Sequence, residues 1–151
     1  IQPFGLDGLF LMRLEKGILH VGTDTDGRTV PDDVGWGKVA DNKRSDYTGK
    51  RSLWLPEHRR PDRLQLVGLK GTTNIVIGSH LRLLDSNEVT DGWVTSAGRS
   101  VTTDEPIALA MLRGGRNRIG ALVNVHDSGT VTQATVVAPT FYDPTGERMN
   151  G

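Results

Sequence analysis

Cysteine is absent from the 151 residues. That excludes disulfides, thiolate metal sites and a cysteine nucleophile, and it is compatible with a cytoplasmic location. An excess of either charge is missing too, since 18 Lys and Arg balance 18 Asp and Glu. A chain with no net charge has no global attraction for nucleic acid or an anionic membrane, so neither is expected as a partner. No apolar run approaches the roughly 18–20 residues that a membrane-spanning helix needs. The start of the chain lacks the basic segment and apolar core of a secretory signal. It opens on Ile1 rather than Met, as expected of a fragment or a processed chain. Aromatic residues are only 5% of the total, whereas glycine contributes 19 residues. This balance suits short strands joined by many turns.

The most apolar segment lies at the beginning. Residues 5–16 read as a helix in which Leu6, Leu9, Phe10, Met12 and Leu14 are apolar and Leu11 fills another side. An all-round apolar helix is expected to be buried. The roughly 55 residues of the N-terminal part are too few to cover it, so it is expected to pack on something outside this chain or on a second copy. Gly17 supplies the helix stop, and residues 18–21 read as a short extended piece. Residues 22–33 carry turn chemistry in Asp24-Thr25-Asp26-Gly27 and Pro31. The run superficially resembles a calcium loop. It lacks a third acidic position before the glycine and a glutamate at the twelfth position, so calcium is not expected. Residues 34–39 are glycine-rich around Trp36, and the charged residues 41–50 fit a short helix or a loop.

Residues 56–61, Pro-Glu-His-Arg-Arg-Pro, form the best linker, with two prolines, high charge and no apolar periodicity. Beyond it the texture changes. Apolar residues alternate or cluster over 63–69, 74–84, 88–97, 107–112, 121–125 and 130–138, with Gly, Asp and Asn turns between them. Gly114-Gly115 and Ser128-Gly129 read as turns within the series. The pattern predicts an all-β barrel or sandwich over residues 62–151.

Self-contained catalytic chemistry is not evident, and no catalytic residue is assigned. His20, His58, His80 and His126 lie in no spacing that presents two metal ligands on one face. There is no nucleophile elbow and no phosphate-loop lysine motif. Gly35-Trp36-Gly37-Lys38 is too short for a dinucleotide fingerprint. Glu15 stands apart. A carboxylate on a nearly all-apolar helix is costly without a partner. The adjacent ring N–H and amino donors of a pterin or guanine edge offer two parallel hydrogen bonds to one carboxylate. The plain alternative is a salt bridge to Arg13, Lys16 or Arg44, or exposure at the helix end. The basic residues Lys43, Arg44, Lys50, Arg51, His58, Arg59, Arg60 and Arg63 fit a solvated face better than an RNA track, because no stacking aromatics are interleaved with them. They also suit the carboxylate tail of a ligand. Arg113, Arg116 and Arg118 are expected at a solvated hairpin tip.

Several ordered blocks carry a wider resemblance. They are Leu14-Glu15-Lys16-Gly17, Gly22-Thr23-Asp24-Thr25-Asp26-Gly27 with Pro31-Asp32-Asp33, Gly49-Lys50-Arg51-Ser52-Leu53, Leu66-Val67-Gly68-Leu69, and Phe141-Tyr142-Asp143-Pro144 with Gly146-Glu147-Arg148. Together they resemble the folate-binding aminomethyltransferase family, which includes the glycine cleavage T-protein and the sarcosine oxidase alpha subunit. The resemblance covers nearly the whole chain and looks like only the C-terminal portion of such a protein. Leu9-Phe10 stands where the T-protein pattern has an Arg-Asp pair, which favours the oxidase branch. By the match, Glu15 is the pterin-binding glutamate of tetrahydrofolate, and Arg44 is a candidate for the folate tail.

The resemblance implies a mainly β chain. A C-terminal β-barrel, a distorted jelly roll over residues 62–151, follows a linker at 56–61 and a helix-containing end of the folate-binding core at 1–55. It further implies an enzyme that oxidatively demethylates N-methylglycine and captures the one-carbon unit as 5,10-methylene-tetrahydrofolate, with the fragment alone inactive. The catalytic aspartate and the dinucleotide-binding regions would lie in an N-terminal part outside this chain. FAD, FMN and NAD are expected elsewhere in the full enzyme, with the covalent flavin on a partner subunit. The remaining N-terminal part and the other oxidase subunits are the expected partners. A glycine cleavage aminomethyltransferase and a non-catalytic subunit-docking module are the competing readings.

Overall fold

The run Ile107-Ala108-Leu109-Ala110-Met111-Leu112 forms most of strand β4 (Pro106–Arg113) and is buried on both faces. A strand covered on both sides loses the usual alternation with polar residues. The two faces of β4 meet two different cores. Ala108, Ala110 and Leu112 face inward with Val67, Leu69, Leu81, Val94, Val123 and Val136. Ile107, Leu109 and Met111 join Leu14 and Leu66 in a second cluster, packed by Leu11, Leu19, Val34 and Phe141. One core fills a barrel, and the other glues the N-terminal segment to the barrel's outer wall.

The computed structural model describes residues 3–86 and 88–150. Helix α1 (Leu6–Lys16) and the short α2 (Gly37–Asn42) precede the barrel, and α3 (Glu147–Asn150) follows it. The strands are β1 (Leu64–Gly71), β2 (His80–Leu83), β3 (Gly92–Arg99), β4, β5 (Leu122–Asp127) and β6 (Thr130–Val137). They close in the order β1-β4-β3-β2-β5-β6, with every pairing antiparallel and β6 returning to β1. Strands β2, β3 and β4 are successive neighbours, and β1 lies beside β4 at the end of a long connection, a Greek-key arrangement. Closure leaves no edge strand to be protected. The mainly β class and the C-terminal barrel read from the sequence are what the structure contains, with six strands in the closed sheet. Among the described residues, no helix is long and apolar enough to cross a membrane.

Within this chain helix α1 is buried on one face only. Leu14 and Glu15 are buried, whereas Leu6, Leu9, Phe10 and Met12 are 42–70% exposed. The barrel wall can cover only one face of a helix laid across it. Residues 18–20 are outside any regular element and a turn follows at 21–24, with the amides of Thr23 and Asp24 both donating to the His20 carbonyl. Two local expectations are corrected. Residues 74–84 do not form one strand, because Gly78 at φ +86° turns the chain and pairing begins at His80. Lastly, residues 114–121 are not a hairpin tip. Strands β4 and β5 are not neighbours, so the segment crosses the barrel end through a 3-10 turn at Gly115–Arg118. There Arg116 reaches Asp32 at 2.6 Å and Arg118 reaches Asp85 at 3.2 Å. The linker residues include a 3-10 turn at Pro56–Arg59, with Arg60 forked between Glu57 and Asp62.

The inner core sets an expectation for stability. Leu112→Ala removes a fully buried side chain and should cost about 2–5 kcal/mol. Val131→Ala, on a side chain 53% exposed, should cost less than about 1 kcal/mol. Urea unfolding midpoints of the two variants check the difference.

Candidate functional site

Gly17 ends α1 in the left-handed conformation at φ +70°, and its amide and that of Ile18 close on the Leu14 and Arg13 carbonyls. A Cβ at this position would collide with the Pro139 carbonyl oxygen. The close approach brings the C-terminal tail against the last helical turn. There the amides of Phe141 and Tyr142 both donate to the Glu15 carbonyl, at 2.9 and 3.0 Å. Lys16 Nζ donates to the Asp143 carboxylate at 2.8 Å.

The Glu15 side chain points the other way, into the β3–β4 turn. Its Oε1 accepts the Ser100 hydroxyl at 2.5 Å and the Thr102 amide at 3.1 Å, and its Oε2 accepts the Thr102 hydroxyl at 3.0 Å. Glu15 is 8% exposed. Burial alone would push its carboxyl up, but the Ser100 hydroxyl and the Thr102 amide and hydroxyl together hold it below the ordinary glutamate range. The carboxyl is therefore ionised at neutral pH. Of the cations proposed from the sequence as partners, Arg13 and Lys16 bind other carboxylates and Arg44 makes no bond to Glu15. Every donor to the Glu15 carboxylate is neutral. The Val101 amide adds a smaller favourable contribution to the same carboxylate.

The other buried carboxylates differ in this respect. Asp24, 1% exposed, receives Arg13 Nη1 and the His20 amide on Oδ2, and the Thr95 and Ser96 hydroxyls on Oδ1. Its acceptor positions are filled and its charge is paired. Both hydroxyls reach one carboxylate because β3 carries a register shift between Val94 and Ser96; in a regular strand, neighbouring side chains point to opposite faces. Asp33 is gripped by a two-pronged Arg63 fork at 2.8 and 2.7 Å and accepts the Val30 amide. The Asp33–Arg63 pair and the Thr95 and Ser96 hydroxyls on Asp24 pin residues 20–33 to the barrel wall, while Arg13 ties Asp24 to α1.

Between that pinned segment and the barrel lies a cavity of about 500 Å³. Its floor is Leu64, Trp93 and Met111, and Thr25, Asp26 and Arg28 are on its rim. Neither Glu15 nor Arg44 is in its wall. Arg44 lies in the exposed loop after α2, where Lys50 Nζ caps the Lys43 and Ser45 carbonyls at 3.1 and 3.2 Å. Among the described residues, no group of three or more His, Asp or Glu side chains could hold a metal ion. The sequence singled out Glu15 but not its partners. Ser100 and Thr102 lie more than 80 residues away, and nothing local marks a turn hydroxyl as the donor to a distant carboxylate.

Two outcomes follow from this geometry. Asp24→Ala strands a buried Arg13 and should cost about 3–5 kcal/mol in unfolding free energy. Glu15 has a lowered folded-state value, so its contribution is complete above the ordinary glutamate value of about 4.3 and is lost as pH falls through the lowered value. Melting curves of the parent and of Glu15→Gln should therefore be widely separated at pH 7 and converge toward pH 3. A separation that is constant across this range contradicts an ionised Glu15.

Comparison with known proteins accords with this architecture. The glycine cleavage T-protein C-terminal barrel domain matches residues 65–143, which run from β1 to the tail beneath α1. The sarcosine oxidase alpha subunit of Corynebacterium sp. (strain U-96) is 34% identical over 100% of this chain, and that of Rhizobium meliloti (strain 1021) is 36% identical over 99%. The chain spans only 16% of the length of either relative. The crystal structure of the glycine cleavage system aminomethyltransferase T from Bartonella henselae superposes with a TM-score of 0.75 at 26% identity, over 91% of this chain and 38% of that one. The barrel-domain match covers more than half of the chain, which therefore belongs to the family defined by the glycine cleavage T-protein C-terminal barrel domain.

Proposed function

We propose that this chain is the tetrahydrofolate-binding C-terminal part of a sarcosine-oxidase-like enzyme. Residues 1–55 end its folate-binding core, 56–61 link, and 62–151 form its barrel. In the whole enzyme, oxidation of N-methylglycine elsewhere releases a one-carbon unit as an imine or formaldehyde. Tetrahydrofolate captures it as 5,10-methylene-tetrahydrofolate.

The observation that carries the reading is the Glu15 carboxylate, which is buried, ionised and held by neutral donors only. A buried charge without a cation is expensive in a purely structural role, and groups kept in such a state concentrate at binding sites. The residues fit the pterin edge in chemical type, since an ionised carboxylate accepts from ring N–H and amino donors. A two-point contact with the pterin edge would require donors of the β3–β4 turn to yield their positions. Exposed Leu6, Leu9, Phe10 and Met12 on α1 support the remainder of the same protein as the partner that covers the helix. Arg44, on its exposed loop, remains a candidate for the folate carboxylate tail.

The test uses the intact protein. Glu15→Ala should abolish tetrahydrofolate binding and 5,10-methylene-tetrahydrofolate formation from sarcosine, while hydrogen peroxide release is unchanged. Parental folate affinity in that variant would refute the assignment.

A further inference from the structure

The turn between β3 and β4 does more than join two strands. Its ends are closed by the Ser100 amide donating to the Glu105 carbonyl at 2.9 Å. Within it, the Thr103 amide donates to Ser100 Oγ at 3.0 Å. That bond occupies an acceptor position of the hydroxyl and directs its single proton toward Glu15 Oε1, where the Thr102 amide also arrives. The Thr102 hydroxyl approaches the other oxygen. All three donors thus come from one short turn of the barrel, and they meet a carboxylate carried by the helix.

We propose that Ser100 and Thr102 are positioning residues for ligand recognition, holding the Glu15 carboxylate in one orientation and in its ionised form. This inference rests on the folate reading above. Two donors on Oε1 and one on Oε2 hold the carboxylate against rotation, so the ligand meets an acceptor of fixed direction. The arrangement also governs protonation. A backbone amide can only donate, so a neutral Glu15 carboxyl would lose its match to Thr102. The charged groups on the packed elements are already committed: Arg13 to Asp24, Lys16 to Asp143, Arg99 to Asp104, and Glu105 to Lys70. The low-pH limit of folate binding is therefore set by Glu15 and its three donors.

The experiment measures tetrahydrofolate affinity of the intact protein from pH 4 to 8 for Ser100→Ala, Thr102→Val, Thr102→Ser and Glu15→Ala, with unfolding midpoints in parallel. Ser100→Ala and Thr102→Val should each weaken binding at pH 7 by about ten-fold, the loss of one hydrogen bond to a charged group. Both should shift the low-pH limit of binding upward. Thr102→Ser, which restores the hydroxyl, should return both the affinity and the limit to parental values. If Ser100→Ala and Thr102→Val lower the unfolding midpoint but keep the parental affinity and low-pH limit, the turn is only a structural seam and the inference fails. If Glu15→Ala binds folate like the parent, the folate reading fails, and the inference falls with it.

Discussion

Five hydrogen bonds converge on Glu15. Three neutral donors take its carboxylate, and the Phe141 and Tyr142 amides take its main-chain carbonyl. Through this one residue the last turn of α1, the β3–β4 turn and the C-terminal tail are tied together. Burying an unpartnered carboxylate costs far more than a single hydrogen bond returns. Bonds to a charged group contribute about 1.5–3 kcal/mol each, so three together offset that cost and one would not. The joint therefore holds as a set, and it fixes how the helix lies on the barrel.

The two neighbouring carboxylates solve the same problem by different means. Asp24 and Asp33 are also buried, but each faces an arginine. Asp33 and Arg63 fasten the turn-rich segment at the start of β1, and Asp24 is held by Arg13 of α1 and by Thr95 and Ser96 of β3, which the register shift turns to one side. Charge pairing completes these sites chemically. Glu15 is met by neutral donors only, which is why it, rather than the arginine-paired Asp24, carries the functional reading.

The helix that bears Glu15 has a second face for which this chain has no cover. Leu14 and Leu11 pack against the outer wall near Gly98, where a strand without a side chain lets the helix come close. Leu6, Leu9, Phe10 and Met12 stay exposed. The chain spans 16% of the length of its oxidase relatives, in keeping with the proposal that the remainder of the same protein covers the helix.

The sequence by itself determined the elements whose signals are local. Period-2 alternation marked β1 and β5, a Thr- and Val-rich run marked β6, the glycine at position 17 stopped α1, and Ser128-Gly129 turned the last hairpin. The continuous apolar run marked β4, although its burial from two sides was invisible because periodicity vanishes when both faces are covered. Glu15 was conspicuous because it interrupts an apolar helix. Its role was not readable, since the natural partners by spacing, Arg13 and Lys16, are engaged elsewhere. Only the tertiary structure joined Glu15 to Ser100 and Thr102, aligned two successive strand hydroxyls on Asp24, and placed Arg116 and Arg118 on a connection that crosses the barrel end rather than on a hairpin tip. Each of these depends on strand order or on a register irregularity, properties of long-range pairing that no local run of residues encodes.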